Sequence, residues 1–254
     1  ALDHRLTVKS FARYWRGICG CPRWCRHLSY SRQLAAIERW VRAVVARYRG
    51  HIGCWETVNE MHDWYFGNPF AWDHGQLLEV TRMVNELVGA LDPAAPRLIN
   101  HCCIWGDYVQ HRRGRSWTDV PLEPTWTPMT YLEAVDAAGI PFEMIGLQFY
   151  HPGRDIQTCY ETMQKFTRHG RPIQVTEMGT PSAPSMRSVE TGQVDPFSGW
   201  RGLWTPDRQA LWLERFFTVF GASGQVAAMN YWDFDDVQAY IANAGLVDTD
   251  LRPK

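Results

Sequence analysis

No apolar stretch of this 254-residue chain approaches the ~20 residues that a membrane-spanning helix requires. Neither sign of charge is in excess: 26 Lys and Arg stand against 27 Asp and Glu, a formal net charge of -1. That balance supplies no electrostatic pull towards nucleic acid or an anionic membrane surface. The first residues lack the charged and apolar regions of a signal peptide, which a processed chain would also lack, so the compartment stays open. No low-complexity segment or linker interrupts the sequence, and residues 1–254 are read as one domain. Seven cysteines are an odd number, which excludes a fully paired disulfide framework within one chain. Cys19, Cys21 and Cys25 form C-x-C-x-x-x-C, and Cys102 and Cys103 are adjacent. Structural zinc wants C-x-x-C spacing and a second ligand pair, so no metal is expected. Buried thiols are expected, with one disulfide from the first cluster as the alternative.

What is present is a globular composition with a surplus of tryptophan. Hydrophobic residues make up 45% and charged residues 21%, enough for a sizeable core. Thirteen Trp exceed what such a core needs. An indole face is costly to expose unless something stacks on it, and sugar rings offer apolar C–H faces.

Short apolar runs alternate with longer amphipathic ones. Strands are expected at 6–8, 52–58, 96–100, 144–149, 173–177 and 226–232. Helices are expected at 34–48, 75–91, 131–138, 156–169 and 207–220, several closed by Gly139, Gly170 or Gly221 or by Asp92-Pro93. This alternation predicts an α/β fold with a parallel sheet wrapped in helices. Polar and aromatic residues sit at strand ends throughout: Glu60, Asn100, Gln148, Glu177 and Trp232. In a (β/α)8 TIM barrel those ends form the active face, whereas an open doubly wound sheet usually carries a glycine-rich first turn that is absent here. Barrel type is the reading, with six of eight strand–helix units. Two of the strands, Trp55-Glu56-Thr57-Val58-Asn59-Glu60 and Ile173-Gln174-Val175-Thr176-Glu177, deliver a glutamate to the rim. A pair of rim carboxylates is the minimum equipment for hydrolysing a glycosidic bond.

These motifs resemble glycoside hydrolase family 10, the β-1,4-xylanases, over nearly the whole chain. Trp55 to Glu60 looks like that family's fourth strand, W-D-x-V-N-E, and Thr176-Glu177 like its seventh, I-T-E. Arg97 to Asn100 is similar to the fifth strand, which ends in Asn, and Ile145 to Gln148 to the sixth strand's I-G-x-Q. Tyr231-Trp232 followed by Asp236 resembles W-G-x-x-D, and Gly245 to Asp248 with Pro253-Lys254 resembles the L-L-F-D…P-K beyond it.

The resemblance implies Glu60 as acid/base and Glu177 as nucleophile of a retaining hydrolase acting on β-1,4-xylan or a related plant polysaccharide. It implies no cofactor, and a secreted or periplasmic location. Substrate-binding roles are expected for Lys9, Trp15, Asn59, Asn100, Gln148, Tyr150, His151, Trp232, Trp200 and Trp204, the last two with packing of their long loop as the alternative. Trp64, Tyr65 and Trp72 serve either leaving-group subsites or packing, and His62 and Asp63 read as solvated loop residues. The alternatives are a glycosidase of other specificity (a β-glucanase or an exo-acting enzyme) and a carbohydrate-binding protein on a degenerate barrel.

Three departures stand out. In Val8 to Arg16, aligned with the family's V-K-G-H-x-L-V-W-H, Phe11 and Arg16 replace both histidines while Lys9 and Trp15 remain. The family's histidine after I-G-x-Q-x falls on Tyr150, with His151 one residue later. A one-residue slip reverses a strand-end side chain, so Tyr150 rather than His151 is expected to reach Glu177. Counterparts of the first two strands and of the closing helix are missing, and another segment or chain is expected to complete the barrel.

Overall fold

The structure, a computed structural model, describes residues 6–7, 23–63, 72–102, 104–105, 114–115, 121–122, 126–150, 155–184, 199–237 and 239–254. It divides into two compact units, 1–146 and 147–254.

The first unit contains β1 (Leu6–Thr7), a 3-10 turn (Arg23–His27), α1 (Tyr30–Tyr48) and β2 (Trp55–Asn59). A second 3-10 turn (Met61–Asp63), α2 (His74–Leu91) and β3 (Arg97–His101) follow. Then come the short antiparallel pair β4 (Gly114–Arg115) and β5 (Pro121–Leu122), α3 (Pro128–Ala137) and the first half of β6 (Met144–Phe149). β1, β2 and β3 pair in parallel, with Leu6 opposite Trp55 and Trp55 opposite Arg97. Every residue of β2 is buried, as expected of a parallel strand covered on both faces.

The helices that cover these strands are specified locally. α1 buries Ile37, Val41 and Val45, four apart along one stripe. α2 opens on a capping box in which the Asp73 carboxylate accepts from Gln76 N–H and the Gln76 side chain accepts from Asp73 N–H. It stops at Asp92, before Pro93. That aspartate, itself buried, accepts from Trp55 Nε1 at 2.9 Å and so ties the end of α2 to the start of β2. Thr57 bonds both to Asn85 on α2 and to the Leu98 carbonyl on β3, at 3.0 and 3.1 Å.

The second unit contains the remainder of β6, α4 (Ile156–Thr167), β7 (Ile173–Met178), α5 (Pro206–Gly221) and β8 (Val226–Met229). β7 and β8 pair in parallel. The core is aromatic: Phe149 meets Phe216 and Phe220 edge to face, with centroids 5.3 and 5.2 Å away, and Phe216 stacks on Trp212 and Phe220. Beyond β8 the chain is fastened by polar contacts. Asp236 accepts from Gly245 N–H at 2.8 Å and pairs with Lys254 Nζ at 2.7 Å. A side chain at Gly245 would strike the backbone at 235–236, so glycine is required there. The W-x-x-x-D and P-K segments are thus two halves of one latch.

The expected elements are present with small changes at their ends. α1 and α3 start three or four residues early, α3 because Thr127 caps it and Pro128 occupies its first turn. β8 ends at Met229 rather than Trp232, although Trp232 N–H still donates to the Met178 carbonyl at 2.8 Å.

Candidate active site

In the first unit, Glu60 follows β2 directly. Its N–H donates to the Asn100 carbonyl at 2.9 Å, and its backbone takes a φ of +57°. For a residue with a Cβ this left-handed conformation costs on the order of 1 kcal/mol, and such strain collects at functional sites. The β2–β3 register also shifts between Glu56 and Val58. Together the irregular register and the left-handed turn take Glu60 out of the alternation that a straight strand would impose.

Beside it lies a buried amide–carboxylate cluster. Asn100 Nδ2 donates to Asn59 Oδ1 at 2.7 Å and to Glu56 Oε1 at 3.2 Å, so Asn100 fixes Asn59 immediately before Glu60. Asn59 and Asn100 are therefore brought together beside Glu60. Glu56, which stands where the family pattern has Asp, is the residue of this cluster that the motif reading passed over.

His62 is a correction. Expected in a solvated loop, it is buried, with Nε2 3.1 Å from the Cys102 carbonyl and its ring beside His101 and Tyr131. Burial pushes its pKa down to about 3 against the opposing bond from Cys102. The ring is neutral, and Nε2–H donates to that carbonyl. Trp72 belongs to packing: it is buried, donates to Gln33 Oε1 at 2.7 Å and meets Tyr30 edge-on.

In the second unit, Glu177 is the fifth residue of β7 and is buried. Gln148 Nε2 donates to its Oε1 at 3.1 Å and Tyr150 OH to its Oε2 at 3.0 Å. Residues 148 and 150 share one face of β6 and its exit, so two donors from one strand fix the plane of the carboxylate. Tyr150 reaches Glu177 from the position where the family pattern has histidine. Burial first, and then the charge of Glu177, pushes the Tyr150 phenol well up, so it remains a proton-bearing donor.

A further carboxylate, Asp233, adjoins this group. It is buried and accepts from Tyr240 N–H at 2.6 Å and Ile241 N–H at 3.3 Å. The Tyr240 ring lies 4.7 Å from that of Tyr150. Asp233 occupies the glycine position of W-G-x-x-D, and that substitution was the sequence signal by which it could have been found.

The tryptophans separate into two kinds. Trp232 is 43% exposed. Trp200 and Trp204, expected to bind substrate, are 4% and 1% exposed and stack on each other. The Arg201 and Arg215 guanidiniums lie over the Trp200 ring. They pack the loop ahead of α5 and offer no face to a sugar. Lys9, Phe11, Trp15, Arg16, Trp64, Tyr65 and His151 lie outside the described residues, as does the side chain of Asp63.

At the level of sequence, no protein-family model and no curated protein matches the chain. Solved structures do. Xylanase 10B from Thermotoga petrophila RKU-1, crystallised with xylobiose, superposes with a TM-score of 0.64 at 18% identity, over 98% of this chain and 69% of that one. GH10 from Paenibacillus barcinonensis gives 0.66 at 20% identity, over 98% and 73%. The fold is that of the family 10 xylanases. A β-glucuronidase from Bacteroides uniformis is similar as well, with a TM-score of 0.56 at 16% identity over 85% of this chain and 24% of that one. The chain is therefore a (β/α)8-barrel type, and strand ends are where such a barrel carries its chemistry. Among the described residues no group of three or more His, Cys, Asp or Glu could hold a metal ion, and no helix is long and apolar enough to cross a membrane.

Proposed function

We propose that the chain is a retaining glycoside hydrolase of the xylanase type, cleaving β-1,4 linkages of xylan or a related plant polysaccharide. The observation that carries this reading is the Glu177 carboxylate, held at the rim of β7 by a donor on each oxygen. A second strand-end glutamate, Glu60, follows β2 in a left-handed backbone conformation.

On this reading Glu177 attacks the anomeric carbon while Glu60 gives its proton to the departing glycosidic oxygen. The C–O bond breaks, the aglycone leaves as an alcohol, and a glycosyl ester of Glu177 remains. Glu60, now a carboxylate, takes a proton from water, whose oxygen attacks the same carbon and restores Glu177. The configuration is inverted twice and so retained. Asn59 holds the sugar 2-hydroxyl, a bond that strengthens as positive charge develops on the ring, and Trp232 carries its apolar face. No cofactor enters. A polymeric substrate implies a secreted or periplasmic protein.

The second reading keeps the mechanism and changes the substrate. Arg16 in place of a subsite histidine and the likeness to a β-glucuronidase favour a glycosidase of different specificity, because a permanent planar cation suits an acidic or differently substituted sugar. Hydrolysis of aryl xylobioside and aryl cellobioside by wild type, Glu60→Ala and Glu177→Ala tests both. Wild type should release the aryl alcohol. Glu177→Ala should be inactive, and Glu60→Ala should release a burst of the most acidic leaving group, which needs little protonation, followed by slow turnover because the second step lacks its base. Binding of xylan without turnover by wild type would leave only a carbohydrate-binding protein.

A further inference from the structure

Asp233 is a buried carboxylate near Glu177 that the proposed reaction does not use. Its two oxygens close the loop after β8, Oδ1 on Tyr240 N–H at 2.6 Å and Oδ2 on Ile241 N–H at 3.3 Å. Closing that loop places the Tyr240 ring against Tyr150, with centroids 4.7 Å apart and planes 53° to each other. Tyr150 is thereby held between Tyr240 and its bond to Glu177 Oε2. The other side is equally close: a Cβ on Gly179 would lie 3.2 Å from Asp233 Oδ2 and 3.4 Å from the Tyr150 ring. Asp233 and the Tyr150 ring thus flank Gly179 with no room for a side chain between them, and a change at Asp233 reaches the Tyr150 hydroxyl through the Tyr240 ring.

We propose that Asp233 is a positioning residue for Glu177, acting through Tyr240 and Tyr150, and that only its ionised form holds the Tyr150 hydroxyl in place on the nucleophile. Ionised, it accepts both N–H groups at once. Protonated, one oxygen becomes a donor facing backbone donors, and that end of the loop must let go.

The groups that face Asp233 bear on when this happens. Glu177 on β7 and Asp236 on its own loop are the carboxyl groups that face it, with Asp236 paired to Lys254, and Tyr150, Tyr231 and Tyr240 are the phenols around it. Burial pushes the Asp233 carboxyl up to about 6, the bonds from Tyr240 and Ile241 oppose this, and the charges of Asp236 and Glu177 add to it. The change of state thus falls near pH 6.

The inference rests on the hydrolase reading for its kinetic consequence, but its structural part is measured independently. Protein labelled with 13C at tyrosine Cζ gives one signal for Tyr150, assigned by its loss in Tyr150→Phe. In wild type that signal should titrate with a midpoint near 6, and in Asp233→Asn it should be flat over about pH 5 to 7. With an aryl glycoside, Asp233→Asn should lower kcat by on the order of tenfold, with KM within about twofold, and should remove the acidic limb near 6 from the pH profile. Asp233→Glu should restore part of that limb. A wild-type Tyr150 signal with no titration near 6 overturns the inference, and this measurement needs no variant at Asp233 to fold. An unchanged profile in Asp233→Asn overturns it as well. Absence of turnover by wild type is instead a failure of the hydrolase reading and leaves the Tyr150 titration to decide the positioning role.

Discussion

Tyr150 OH lies 3.0 Å from Glu177 Oε2, occupying with a phenol the place where the resembled family has an imidazole. A histidine there gains and loses charge near neutrality, whereas this phenol is driven up by burial and by Glu177 and stays neutral there. Removing its hydroxyl leaves a buried carboxylate one donor short. Tyr150→Phe should lower kcat/KM on an aryl glycoside by about 10- to 100-fold, the equivalent of one hydrogen bond to a charged group. Steady-state kinetics on the purified variant check this, and an unchanged kcat/KM would remove Tyr150 from the site.

The left-handed backbone of Glu60 separates two substitutions that both delete its carboxylate. Alanine keeps the strain and glycine relieves it. Glu60→Gly should be more stable than Glu60→Ala by about 1 kcal/mol, the left-handed penalty offset in part by the greater unfolded-state freedom of glycine. Thermal or urea unfolding of the two proteins measures the difference, and the reverse order would argue against strain at this position.

Acid should destabilise the protein through His62. Its folded-state pKa of about 3 lies below the ordinary 6.5, so the unfolded chain binds a proton there that the native state refuses. The contribution is fully present above pH 6.5 and is lost as pH falls towards 3, by up to about 1.4 kcal/mol for each unit. Asp233 acts with the opposite sign: its raised pKa favours the protonated native state, and that stability is lost as pH rises through about 6. Melting temperatures of wild type, His62→Asn and Asp233→Asn against pH should show a reduced acid slope in the first variant and a reduced neutral slope in the second.

Trp204 distinguishes a packing residue from a substrate platform. With its indole 1% exposed and stacked on Trp200, Trp204→Ala should cost about 3–5 kcal/mol of stability. KM for a short aryl glycoside should stay within about twofold where the variant remains folded. A large rise in KM with little loss of stability would return Trp204 to the binding surface.

Much of this was legible in the sequence, for physical reasons that can be named. Ile37, Val41 and Val45 repeat at helical spacing, Asp73 and Gln76 announce the start of α2, and Asp92-Pro93 announces its end. β7 and β6 are short β-branched or apolar runs with few competing readings. The contact of Tyr150 with Glu177 followed from strand alternation and a shift of one residue. The left-handed turn at Glu60 left no mark, since Asn59-Glu60 carries none of the glycine that usually signals such a backbone. The burial of His62, Trp72, Trp200 and Trp204 was equally invisible. An aromatic residue in a loop reads the same whether a sugar or a neighbouring side chain covers it, and only the fold decides which. Asp233 and Tyr240, seven residues apart in an irregular loop, belong to no periodic pattern.

Gln148 and Tyr150 both reach Glu177 because they stand two residues apart along one strand exit. A slip of β6 by a single residue would offer Leu147 and Phe149 to the carboxylate in their place, stripping both donors in one step. Point mutations on this strand can therefore test each donor singly. An insertion or deletion in the turn that feeds it would remove the pair together, which makes that turn's length as much a determinant of reactivity as either side chain.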